Sequence, residues 1–294
     1  MISISIIIPT YNRAHIIEKA ITSVKNQSNG NWELILVDDG SKDGTEEVVK
    51  PYLIDTRIKY LYQENKGACA ARNNGAKIAT HDYLGFFDSD DYIGEDWVAD
   101  FIQKLSEVPS SQIIFCNCIH QDIASGKIVK EIFPEVSPFS SKQKVLFYGG
   151  CFIMKKEIFF SVDGFDEISK TGYFYPLLMK LDIHLEFGKI KISYVNNFNS
   201  IILEHESNIR TNYKLKHKDV EAILKKYFMY LFKRRHFYTI SDFSRIMAFN
   251  LSKDTSENNF FKVFKYSLVS ILFMPLGFKH YPRLLVYMVN ALKK

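Results

Sequence analysis

Phe86-Phe87-Asp88-Ser89-Asp90-Asp91 is the stretch on which the reading of this chain turns. Its two aromatics close an apolar run, Tyr83 to Phe87, that reads as a strand. Three carboxylates follow within four residues, where that strand must end. Like charges this close repel, and a buried carboxylate is tolerated only with a partner. A positive group is therefore expected at the tip. A divalent cation on hard oxygen ligands, Mg²⁺ or Mn²⁺ with positions left open for phosphate oxygens, is the economical one. The plainer alternative is an acidic turn in which Asp91 caps a following helix.

Three similar units precede this stretch. Ile2 to Ile8 is an almost unbroken β-branched run, as in a strand buried on both faces of a parallel sheet, and Pro9-Thr10-Tyr11-Asn12 is expected to stop it. Ile16, Ile17, Ala20, Ile21 and Val24 then recur at helical spacing. Glu33 to Val37 reads as a second strand ended by Asp38-Asp39-Gly40-Ser41, and Asp43 to Tyr52 as a helix capped by Ser41 or Asp43. Ile58 to Tyr62 gives a third strand, and the small-residue run Gly67 to Ala79 a helix in which Gly75 permits close backbone approach. Alternating strands and helices imply a parallel sheet wrapped by helices, with ligands at the carboxyl ends of the strands. The polar punctuation falls at those ends. Neither G-x-G-x-x-G nor G-x-x-x-x-G-K-[ST] occurs, so a bound nucleotide would need a metal to manage its phosphates.

Beyond Asp91 the pattern changes. Asp96 to Leu105 reads as a helix with Trp97, Phe101 and Leu105 on one face. Ile113 to Ile119 reads as a strand, Gln121 to Lys130 as a hairpin turn centred on Ser125-Gly126, and Gly149 to Met154 as a short strand. Val162 to Glu167 is a turn, 173–185 a helix and Ile190 to Val195 a last strand. From Lys214 the sequence is helical. Val220, Ile223, Leu224, Tyr227, Phe228, Leu231 and Phe232 form one apolar stripe, with further helices after Ser241, over 260–274 and over 281–292.

The chain has 294 residues, 47% hydrophobic and 24% charged, which suits one large domain with an appendage. Residues 205–294 carry 17 Lys and Arg against 6 Asp and Glu, whereas 1–204 carry 21 against 27. Positive charges interleaved with large apolar faces argue for packing on the first domain or for rest on an anionic lipid surface, and against nucleic acid. Cys69, Cys116, Cys118 and Cys151 show no zinc-type spacing and read as buried thiols in a reducing cytoplasm. Met1 runs into an apolar strand without a basic segment, which predicts no signal peptide.

Four motifs together resemble the family 2 glycosyltransferases: Ser5 to Arg13, Val37 to Thr45, Asn65-Lys66-Gly67 through Ala71-Arg72-Asn73, and Phe87 to Asp91. The resemblance covers residues 1 to about 205. It implies an α/β A-type glycosyltransferase fold, a mainly parallel Rossmann-like sheet flanked by helices, with the catalytic domain over 1–210 and a basic helical region over 211–294. It implies an inverting transfer from a nucleotide sugar, of the UDP type, to a saccharide or lipid-linked acceptor in surface polysaccharide synthesis. Pro9, Thr10 and Tyr11 match the segment along base and ribose, and Asp39 the acceptor for the base, while Asp38 braces the turn. Asp88 matches the ribose contact. Asp90 and Asp91 match the ligands of Mn²⁺ or Mg²⁺, with His205 as a further one. Arg72 meets either a phosphate or the acidic cluster, and Arg210 is a candidate phosphate contact.

The chain departs from the family at the general base. The expected Glu-Asp pair, about eight residues beyond Gly164-Phe165-Asp166-Glu167, is Tyr173-Phe174. Neither can take a proton at neutral pH. Asp166 and Glu167 are the acids nearest to that position. The alternative is a non-catalytic nucleotide-sugar-binding or partner subunit. The expected location is the cytoplasm, at the inner face of the cell membrane where the basic tail meets lipid.

Overall fold

A computed structural model describes residues 2–132, 149–169, 174, 176–177, 180–181, 189–204, 213–233, 244, 247–249, 251–252 and 260–273. The chain divides into two compact units, Met1–Glu167 with Leu177–His205, and Ile168–Pro176 with Glu206–Lys294.

The first unit is built on one mixed sheet. Its strands are β1 (Ile4–Thr10), β2 (Trp32–Asp38), β3 (Ile58–Tyr62), β4 (Tyr83–Phe86), β5 (Tyr92–Ile93), β6 (Ile113–Asp122), β7 (Ile128–Glu131), β8 (Phe152–Lys155) and β9 (Ile192–Glu204), in the order β3-β2-β1-β4-β8-β6-β9-β5 with β7 on β6. The first four strands are mutually parallel, and β1, β2 and β4 are buried along their whole length, as strands covered on both faces are. From β8 onward antiparallel pairings enter: β8 runs against β4 and β6, β7 against β6, and β5 against β9.

Helices α1 (Ile17–Lys25), α2 (Thr45–Val49), α3 (Ala68–Ile78), α4 (Trp97–Glu107) and α5 (Lys156–Ser161) flank this sheet. Helix α1 buries Ile17, Ala20, Ile21 and Val24, and α4 buries Trp97, Val98, Phe101 and Leu105, following the spacing in the sequence. Each such fully buried large side chain contributes about 1.5–3 kcal/mol. A Cβ on Gly75 would stand 2.5 Å from Ile7 Cγ2, so glycine is what lets α3 lie against β1. That close approach brings Arg72, on the same helix, beneath the tip of β4.

Several elements differ from expectation. Strand β1 runs through Pro9 to Thr10 rather than stopping before them. Its pairing with β4 ends at Ile7↔Phe86, so the N–H that Pro9 lacks costs no ladder bond. The expected helix 43–52 is α2 followed by a 3₁₀ turn over Lys50–Ile54, because Pro51 cannot continue the α-helical ladder. Strand β9 extends nine residues past Val195, to Glu204. The amides of Asn197 and Asn199 both donate to Asp100, which gives the side-chain NH₂ groups of these two strand residues an acceptor. Strand β5, two residues long, was not expected at all.

In the second unit, helix Tyr213–Lys233 buries Ile223, Leu224 and Tyr227, and helix Phe260–Phe273 buries Val263 and Tyr266. Tyr266 donates to Glu221 at 3.2 Å, and Ser169 to Asp219 at 3.0 Å. Val220 and Phe228 are half-buried, and Phe232 is exposed, so among the described side chains of the stripe those fully covered are Ile223, Leu224 and Tyr227. Phe174, Pro176, Leu177, Lys180 and Leu181, the described residues within 173–185, are helical. Tyr173, His205, Arg210, Ser241 and residues 281–292 lie outside the described residues.

Candidate active site

The site is built where β1, β2 and β4 end side by side. The register Thr10↔Asp38 aligns the first two tips, and Asp39 N–H donates to the Thr10 carbonyl at 2.8 Å. Phe87 N–H continues the ladder onto Ile7 at 3.0 Å, which carries Asp88 to the end of β1. Asn12, in the left-handed region (φ 52), locks the loops after β1 and β2 together. Its N–H donates to Ser41 Oγ at 2.8 Å, and its Oδ1 accepts from Lys42 N–H at 2.9 Å. Arg13 and Ala14 N–H groups donate to Thr45 Oγ1 and Asp43 Oδ2.

The acids at the β2 tip are braces. Asp38 accepts from Ser41 N–H at 2.7 Å and from the Tyr60 hydroxyl at 2.6 Å. Burial, reinforced by that bond to Asp38, pushes the Tyr60 phenol well up. Asp39, 3% exposed, accepts from Gln63 Nε2 and from the N–H groups of Lys66 and Gly67, at 2.7–2.8 Å. It therefore holds the chain entering α3, an anion where the helix dipole favours one. These three bonds use three of the roughly four acceptor positions of a carboxylate.

The acids at the β4 tip converge instead. Oxygens of Asp88, Asp90 and Asp91 lie within 4.8 Å of one another. Asp91 is buried and accepts from Leu203 N–H of β9 at 2.9 Å. Arg72, 1% exposed, pairs with Asp88 from below, its guanidinium 5.8 Å from the Phe165 ring. Arg13 Nη2 lies 3.9 Å from Asp90 Oδ2. Arg13 sits inside the first motif, yet its sequence suggested no role for it. The signal was a cation directly after a strand tip. Tyr11 is 48% exposed at this rim, whereas Pro9 and Thr10 are buried. Thr10 Oγ1 is buried with no hydrogen-bond partner among the described residues.

Asp166 and Glu167 are held in a turn pinned to α3. Asn73 receives the Phe165 N–H, and its Nδ2 lies 3.0 Å from Phe165 O and 3.2 Å from Glu167 Oε1. Asp166 is buried and Glu167 exposed.

The sequence profile described as Glycosyl transferase family 2 matches residues 5–169, more than half of the chain. The chain belongs to that family. Among solved structures, the mannosyltransferase PcManGT from Pyrobaculum calidifontis, in complex with GDP-Man and Mn²⁺, superposes with a TM-score of 0.63 at 15% identity, over 99% of this chain and 86% of that one. S. aureus TarS 1–349 in complex with UDP-GlcNAc superposes with a TM-score of 0.60 at 18% identity, over 96% and 92%. The fold is thus the A-type glycosyltransferase fold. In sequence, the putative teichuronic acid biosynthesis glycosyltransferase TuaG of Bacillus subtilis is 42% identical over 106 residues, 35% of this chain and 40% of TuaG. The putative glycosyltransferase EpsH of the same organism is 29% identical over 151 residues, 50% of this chain and 43% of EpsH. The matched region spans less than half of these relatives, and 21% of a Rickettsia felis glycosyltransferase.

Proposed function

We propose that this family 2 chain transfers a sugar from a nucleotide sugar, of the uridine diphosphate type, to a hydroxyl of a saccharide or lipid-linked acceptor in surface polysaccharide synthesis. The observation that carries this reading is the convergence of three carboxylates at the β4 tip beside the Thr10-Tyr11 rim and Asp39. Tyr11 offers an exposed ring for the base. Thr10 Oγ1 is a buried hydroxyl with hydrogen-bonding capacity to spare. The remaining acceptor position of Asp39 suits the N3–H of uracil. Asp88, paired with Arg72, is the acid proposed to contact the ribose.

The donor set fits a hard divalent cation: three carboxylates, all oxygen, on one strand tip. Asp90 and Asp91 would hold Mn²⁺ or Mg²⁺, with Asp88 beside them and His205 as a further ligand. Such an ion, when bound, neutralises the diphosphate that leaves. Arg72 and Arg13 set a positive background that offsets the mutual repulsion of the three acids.

A second reading, a subunit that binds the nucleotide sugar without transferring it, is favoured by Tyr173-Phe174 at the base position and by the Asn73 contact that occupies Glu167. Incubating the purified chain with nucleotide sugars and Mn²⁺ separates the two. Transfer or donor hydrolysis that disappears in Asp90→Ala supports the first reading. Donor binding with neither reaction supports the second.

The second unit is proposed to rest on anionic lipid at the inner face of the membrane. Lys225, Lys226, Met229 and Phe232 are exposed on one of its helices, and Lys262, Phe264, Lys265 and Leu268 on another. No described helix is long and apolar enough to cross a membrane. Flotation with anionic vesicles at low salt should carry the chain upward, and a chain left at the bottom contradicts the proposal.

A further inference from the structure

We propose that Cys118, His120 and Glu131 form a second metal site, for a borderline divalent cation of the Zn²⁺ type, on the β6–β7 hairpin. Cys118 and His120 stand two residues apart on β6 and so face the same side of the sheet. Glu131 of β7 is the direct cross-strand partner of Cys118. Linear spacing hides this set, because the hairpin contributes its third member.

The distances are those of a nearly assembled centre. Cys118 Sγ lies 3.6 Å from His120 Nε2, which lies 2.9 Å from Glu131 Oε2, and all three ligand atoms fall within 4.8 Å of one another. Around tetrahedral zinc a thiolate sulfur and an imidazole nitrogen stand about 3.5 Å apart. The Cys–His edge already has this length. The His–Glu edge must open by about 0.4 Å to reach the corresponding N–O separation, and Glu131 is the half-exposed member that can swing.

The surroundings also suit a metal. Glu204 Oε1 of β9 lies 3.2 Å from His120 Nδ1 without the alignment of a hydrogen bond, and a small turn of the half-exposed Glu204 side chain would let it accept the Nδ1–H and leave the Nε2 lone pair for the ion. A carboxylate behind a metal-binding histidine is the usual outer partner. Cys118 and His120 are buried, while the Glu131 and Glu204 side chains are 34% and 44% exposed, which gives an entry path. One sulfur, one nitrogen and one oxygen favour zinc over the magnesium or manganese that an all-carboxylate tip prefers. Three protein ligands leave a fourth position for water. The ion would tie β7, with its exposed Ile128 and Val129, to the buried strand β6.

Cobalt is the probe. The full chain, reduced and freed of metal by chelation, is titrated with Co²⁺ in excess Mg²⁺, which occupies carboxylate sites. The expected result is a near-ultraviolet thiolate-to-cobalt band that saturates at one equivalent and is displaced by Zn²⁺. It should vanish in Cys118→Ser, weaken about tenfold or more in affinity in Glu204→Gln, and persist in Asp90→Ala. Absence of the band in the folded wild-type chain overturns the proposal without reference to any variant. So does a band that survives Cys118→Ser or disappears in Asp90→Ala.

Discussion

Two neighbouring strand tips carry nearly the same residues and do different things. Strand β2 ends in Val37-Asp38-Asp39-Gly40-Ser41, and β4 runs into Phe87-Asp88-Ser89-Asp90-Asp91. At the first, the carboxylates point back into the protein, onto Ser41, Tyr60, Gln63, Lys66 and Gly67. At the second, they point towards one another, with cationic Arg72 and Arg13 alongside. Acids that accept from neutral N–H and O–H donors hold loops in place. Acids gathered against each other need positive charge nearby, and Arg72 and Arg13 bring it to Asp88 and Asp90. The difference separates acids held by the fold from acids proposed to take a cation, with Asp39 keeping one acceptor position beyond its bracing bonds, although composition makes the two tips look alike.

The largest effect should come from removing the cation beneath the second tip. Arg72→Ala removes a fully buried guanidinium from beside the partly exposed Asp88 and should lower the unfolding free energy in urea by about 3 kcal/mol. A loss under about 1 kcal/mol would mean that Asp88 does not rely on that guanidinium. Next comes the brace. Asp38→Ala strands the Tyr60 hydroxyl and the Ser41 N–H, and about 2–3 kcal/mol of stability should go with them.

An acid in the same strand but at its opposite end sharpens the contrast by pH. Burial alone would raise the Glu33 pKa, but bonds from Lys59, Ser5 and Thr80 outweigh it and pull the value down to about 2. A carboxylate with a lowered folded pKa stabilises the protein above its unfolded value, near 4.5, and loses that contribution as pH falls towards 2. Glu33→Gln should therefore melt lower than wild type at pH 7, with the gap closing between pH 4.5 and pH 2. A gap that stays constant over this range would remove the ionised Glu33 from the account. The smallest effect on the ligand-free fold belongs to the converging acids. Asp90→Ala should shift stability by less than about 0.5 kcal/mol, since relief of repulsion offsets the lost Arg13 pairing.

Much of the architecture was legible because buried parallel strands leave long β-branched runs. Ile4 to Ile8 and Leu34 to Val37 announce themselves. The second half of β9 does not, because Asn196-Asn197-Phe198-Asn199 reads as a loop unless Asp100, about a hundred residues earlier, is known to satisfy it. The acids at both tips were equally visible. Which ones brace and which converge depends on Tyr60, Gln63, Arg72 and Leu203, partners set by tertiary packing rather than by local pattern. The Cys118, His120 and Glu131 cluster was hidden for the same reason.

The contrast between the tips is tested most directly by the melting temperature of the wild-type chain with UDP, in Mn²⁺ and in EDTA, beside Asp90→Ala. A ligand at a hundred times its dissociation constant adds about 2.7 kcal/mol to stability. The expected result is a clear upward shift for wild type in Mn²⁺, and none in EDTA or in the variant. An equal shift in all three would contradict the assignment of the β4 tip as the seat of the metal and the diphosphate.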